Sequence, residues 1–131
     1  MSAELVAASM LNVAGVTTLV GNRRAVSQLP QGTGMPALVY EAISTMPVMT
    51  VNASVGAQLL ISRVQVTAMA IDAAGVAQVL SAAMSAMNLN SGSYGGKSVV
   101  SSIRDMSTGL AKDNDAGVWF GSQDFIIHWY E

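Results

Sequence analysis

The chain has 131 residues, no cysteine, a net charge of −2, and only 11% charged side chains against 51% hydrophobic ones. Without cysteine, no disulfide or thiolate metal site can form. Six Lys and Arg residues scattered along the chain do not make the clustered basic footprint that a phosphate backbone requires, so specific nucleic-acid binding is not expected.

The length suits one domain, 1–131, able to bury roughly two-thirds of its unfolded surface. An average soluble domain carries about 25% charged residues. A chain this poor in charge either hides much of its exterior against partners or presents a small-residue surface rich in Ser, Thr, Asn and Gln; obligate assembly is the favoured reading. The stretch Ala3 to Val20 is apolar but interrupted by Glu4, Ser9, Asn12, Gly15, Thr17 and Thr18. It falls short of the about 20 apolar residues of a spanning helix and lacks a basic leader, so neither membrane insertion nor export is expected.

Ser2 and Glu4 suit the start of a first helix, cap and first-turn carboxylate respectively. Leu5, Ala8, Leu11 and Val6, Met10, Val13 recur at helical spacing, Gly15 weakens the helix, and Val16 to Val20 add a further turn that Gly21-Asn22 stops. Residues 21–36 read as loop, with Pro30, Gly32, Gly34 and Pro36 fixing the entrance to a strand over Leu38 to Ser44. Thr45 to Gly56 reads as a long loop with apolar tips, beyond the usual 2–5 residues of a hairpin connection. Gln58 to Ile71 alternates Arg63, Gln65 and Thr67 with Val64, Val66 and Ala68, a strand with one wet and one dry face.

Asp72 is placed to cap a helix whose face is Val76, Val79, Leu80, Ala83, Met84 and Met87, packing on the sheet's dry side. Asn90 to Gly96 is turn-rich, Ser98 to Met106 a third strand, Ser107 to Gly117 a second long loop, and Val118 to Tyr130 a fourth strand. The expected fold is α+β: an antiparallel sheet of about four strands against two helices, in the order α-β-β-α-β-β, with long hairpin loops.

No constellation carries catalysis. Gly95-Gly96-Lys97-Ser98 lacks the earlier glycine of a phosphate loop, and a helix precedes it where a strand is needed. His128 is the only histidine, in a strand, and reads as facing solvent or a subunit interface. Asp113-Asn114-Asp115 starts like a calcium loop, but no glutamate follows at the required spacing, so it reads as a solvated acidic loop. Asn52 heads a glycosylation sequon that matters only after export, and nine methionines are spread too widely to mark one groove. No cofactor, metal or enzymatic activity is expected.

Taken together, VTTLVG (Val16 to Gly21), LPQGTGMPALVY (Leu29 to Tyr40), RVQVTAMA (Arg63 to Ala70) and SQDFIIHWY (Ser122 to Tyr130) resemble the tail completion family of long-tailed bacteriophages. The resemblance spans nearly the whole chain. Departures are Met69, where an aromatic residue would be expected, and the segment after Arg23-Arg24, which lacks a Tyr-Pro-like continuation. What it implies is a virion protein of the tail-neck region, made in the host cytoplasm. It would form a homohexameric ring on the last ring of the tail tube, its other face meeting a head-side connector or stopper protein, with DNA passing through the lumen unread.

In such a ring each subunit's sheet edge would be covered by its neighbours. The ring would bury the surface that the next tube subunit needs, ending elongation, as either a tail terminator or a tail-to-head joining protein. The expected contact loops are Pro47 to Gly56 (Pro47, Val48, Met49, Val51, Asn52, Val55) and Thr108 to Gly117 (Lys112, Asp113, Asp115), with Asp113 and Asp115 facing the lumen. The alternatives are another ring or tube subunit of the tail, or a small ligand-binding α+β domain.

Overall fold

A computed structural model describes residues 2–48 and 58–130. Two short helices come first, α1 (Ser2–Leu11) and α2 (Ala14–Val20), and a longer one, α3 (Ala73–Met87), lies mid-chain. Seven strands form one sheet: β1 (Arg24–Val26), β2 (Ala37–Pro47), β3 (Leu59–Ala70), β4 (Gly92–Tyr94), β5 (Lys97–Ser107), β6 (Ala111–Asp113) and β7 (Val118–Tyr130). They lie in the order β1-β2-β3-β7-β5-β4, and β6 continues the β5 side along the start of β7. All pairings are antiparallel except β1 with β2, which is parallel.

The α+β class therefore holds, but four strands and two helices are too few. The extra strands β1, β4 and β6 are three residues each. Segments that short have no readable alternation, and only the neighbour they pair with makes them strands. Where one helix with a further turn was expected, the chain breaks: Val13 is extended, α1 and α2 meet at 85°, and the stripe through Val13 gives way to one built on Ala3, Val6, Ala7, Met10 and Leu11. Leu5 and Val13 are exposed. Small Ala3 and Ala7 let α1 lie close to the sheet. No single helix among the described residues is long and apolar enough to cross a membrane.

The core lies between the helices and one sheet face. Alternate residues of β3 (Leu60, Val64, Val66, Ala68, Ala70) and β7 (Phe125, Ile127, Trp129) point into it, against Val76, Val79, Leu80, Ala83 and Met87 of α3. Asp72 starts α3 as expected: its Oδ1 accepts the Gly75 N–H at 2.6 Å. Replacing Asp72 with alanine should cost about 1 kcal/mol, read as a lower urea midpoint with an unchanged slope.

β3 is 12 residues long, about 40 Å at the usual rise. Its register sets the ends of the sheet: Leu59 pairs with Tyr130 and Ala70 with Trp119. The β2–β3 hairpin therefore closes at one end, and the β6–β7 hairpin at the other.

Candidate interaction surfaces

At the first end, β2 keeps pairing as far as Pro47 with Leu60, and the Val48 N–H donates to the Leu59 carbonyl at 2.9 Å. The first three residues of the expected loop, Thr45–Pro47, are thus strand. That register turns the backbone of Thr45 and Pro47 outward on an edge beyond β1's reach, and proline there has no N–H to offer. Ile43 and Met46 stand exposed beside it. Met49, Val51, Asn52 and Val55 lie outside the described residues.

The expected second loop is also mostly paired. Ser107 still opposes Gln123, Thr108 donates its N–H to the Ser122 carbonyl at 2.9 Å, and β6 then runs against Val118–Phe120. Only residues 114–117 form the turn. Asp113 is spent on that turn, its Oδ1 accepting the N–H groups of Asp115 (3.1 Å) and Ala116 (3.3 Å). Lys112 lies over the Trp119 ring, 5.9 Å from its centre. Asp115 is exposed, with no hydrogen bond from its carboxylate among the described residues.

The sheet face away from the helices is uncovered. Near its centre Arg63 on β3 reaches Asp105 on β5 (2.8 Å) and Asp124 on β7 (3.1 Å) with one nitrogen. The hydrogen bond to Asp105, then that to Asp124, holds the guanidinium still more firmly protonated than usual. Ile61, Ile103 and Ile126 line the same face, as does His128, whose Nδ1 is 3.3 Å from the Ser101 hydroxyl. The edge of β5 is closed from within the chain: Leu89 donates its N–H to the Ser102 carbonyl, and the Asn88 Oδ1 accepts the Arg104 N–H. That part of the edge is satisfied within the chain.

A further cleft of about 540 Å3, lined by Ala8, Ser9, Asn12, Asn22, Arg24 and Tyr40, opens beside β1. No sequence spacing marks it, since its residues come from α1, the α1–α2 link, the α2–β1 turn, β1 and β2. Its one visible signal was the Arg23-Arg24 pair. Neither arginine is a loose surface charge. Arg23 donates to the carbonyls of Pro36 (2.7 Å) and Leu19 (3.2 Å), and Arg24 to those of Gly21 (2.9 Å) and Leu11 (3.4 Å), so both close helix C-termini. The rejected Gly95-Gly96 stretch is the β4–β5 turn, tucked against α1.

The sequence model of the family described as tail completion protein gp17 matches residues 4–130. The chain belongs to that family. Curated protein sequences give no match. In structure the chain is similar to a chain of the virion of a native gene transfer agent particle, with a TM-score of 0.68 at 11% identity. That similarity covers 98% of this chain and 97% of the other, and it establishes a shared fold over the whole domain. Membership of a tail completion family fits the tail structural protein expected from the sequence.

Proposed function

We propose that this protein forms a ring at the head-proximal end of a phage tail, stops tube elongation there and joins tail to head without enzymatic chemistry. The observation that carries this reading is the placing of the β2–β3 and β6–β7 hairpins at opposite ends of a 12-residue strand. A subunit built this way offers two separate contact ends across one layer, one to the tube protein and one to a head-side connector or stopper. Family membership supports the tail setting. Three helices that carry a single charged residue, Glu4, suit burial between subunits. A homohexamer with DNA passing through its lumen is the assembly this reading takes from the family.

Electron microscopy of assembled particles tests it directly: density for this chain should sit as one ring at the neck. Long cylinders grown from the purified protein alone would instead make it a tube subunit. Removing residues 49–54 should leave a folded protein, by circular dichroism, that no longer caps tails. Normal tail lengths and head joining with that variant would remove the β2–β3 end from the contact.

A further inference from the structure

Among the described residues, two that are not glycine hold left-handed backbone: Ser27 at φ +63° and Leu89 at φ +60°. A bulky residue rarely adopts that conformation, and such strain collects where structure serves a function. The two lie on opposite flanks of the sheet. Ser27 follows β1: its N–H donates to the Tyr40 carbonyl at 2.9 Å, and the Gln28 N–H then turns back to the Val26 carbonyl. The chain thereby leaves β2, and beyond Tyr40 no strand among the described residues pairs with its outer side. Ile43 and Met46 stand exposed on that bare stretch.

Leu89 belongs to the link from α3 to β4, and it is 78% exposed. Its N–H reaches inward to the Ser102 carbonyl at 2.6 Å, which fixes its level on the sheet. For the turn itself, glycine or asparagine would serve at lower cost. In a lone subunit the leucine side chain is left in water and contributes little.

The strand register sets the two flanks at one height. Ser102 opposes Ile127, Ile127 opposes Ser62, and Ser62 opposes Thr45. Leu89 is therefore level with Thr45, between Ile43 and Met46. One row on, Ile103, also exposed, is level with Ser44. Residues 42–48 carry no charge, and Asp105 on β5 is engaged by Arg63. Four strand spacings, about 19 Å, separate the flanks within one subunit, so they cannot touch there.

We infer that Leu89 of one copy packs against Ile43 and Met46 on the β2 flank of the next, a head-to-tail contact made by side chains. The inference rests on the ring reading proposed above, in which the hairpin ends face tube and head and the strands run along the ring axis. Copies related by rotation about that axis keep their height, so features at one level on opposite flanks come together. Leu89 then has two tasks: its N–H closes part of the β5 edge, and its side chain makes the joint.

Leu89→Asn separates a turn role from a joint role. Asparagine accepts left-handed backbone, so the monomer should keep or raise its urea midpoint. Ring formation should weaken, the half-forming concentration rising roughly 10- to 100-fold, the scale of one leucine returned to water. Rings as tight as those of the natural chain would overturn the inference, as would weakening that merely follows a lowered midpoint.

The chain has no cysteine, so introduced thiols report alone. The full-length Ser44→Cys, Ser91→Cys double variant, treated with a short bismaleimide, should give a ladder of covalent oligomers ending at the closed ring. Ser107→Cys in place of Ser91→Cys should abolish the ladder, because Ser107 opposes Gln123, four residues along β7 from Ile127. Rings by light scattering without the Ser44–Ser91 ladder would overturn this contact and leave the ring reading standing. A protein that stays monomeric at every concentration would overturn both. A ladder on open chains would keep the contact and remove the closed ring.

Discussion

Alanine in place of Trp129 is expected to remove about 3–5 kcal/mol of folding stability, a large share of what a domain of this size possesses. Trp129 is among the largest fully buried side chains, at 2% exposure, and lies on β7 between Leu60 of β3 and Val99 of β5. Its indole N–H donates to the buried Ser62 hydroxyl at 2.8 Å, and that hydroxyl is also 2.8 Å from the Thr45 hydroxyl. One side chain thus fills the core at the β2–β3 end and satisfies a polar group on the neighbouring strand. Truncation leaves a cavity and takes away the Ser62 donor together. Phenylalanine should cost less, about 1–3 kcal/mol, since it keeps most of the volume and loses the hydrogen bond. Urea unfolding followed by circular dichroism reads both. A loss below about 1 kcal/mol for alanine would mean that the core at this end closes without the indole.

Valine at Gly95 is the second large effect. Gly95 sits at φ +59°, and a Cβ there would lie 2.9 Å from the Leu5 carbonyl oxygen and 3.2 Å from its carbon. Left-handed backbone costs an L-residue roughly 1–2 kcal/mol, and crowding against backbone adds about 1–3 kcal/mol. The contact joins the β4–β5 turn to α1, so the first consequence should be loosening of α1. Hydrogen exchange should show protection lost across Val6–Leu11 before β3 and β7 respond. Uniform loss of protection would place the effect on the whole fold instead. Gly96, also at positive φ, has open space around it, and alanine there should cost the backbone term alone.

These glycines show how sequence and structure part company. Gly95-Gly96-Lys97-Ser98 forms a turn between two strands, and the reason for its first glycine is a carbonyl some ninety positions earlier in the chain. No local pattern can announce such a contact. β3 and β7, in contrast, were legible because alternation in each is imposed by one core face. The α3 boundary was legible because Asp72 makes its cap bond locally. β1, β4 and β6 were not, since each depends on a partner strand and has no room for a period.

The contact surfaces follow the same division. Both hairpins were found as excess length between strands, which a sequence displays directly. Their tips were drawn too long because Thr45–Pro47 and Ala111–Asp113 pair across the hairpin. The cleft of Arg24 and Tyr40 is not legible in the sequence, because it assembles from separate segments and its arginine serves helix ends. The apolar repeat of α1 was ambiguous between two stripes, and only docking on the sheet chose the one with the small residues.

The partly satisfied edge of β5 has a consequence for how the chain resists unwanted strand pairing. A long bare strand at the edge of a sheet invites pairing with a second copy and disordered growth. Asn88 and Leu89 occupy the hydrogen-bonding positions of β5 that a stray strand would use, and Pro47 removes a donor from the outer edge of β2. Stray pairing is thus hindered at Ser102 and Arg104 on β5 and at Pro47 on β2. At the β5 positions the chain's own backbone and the Asn88 side chain take the places that a second copy's strand would use.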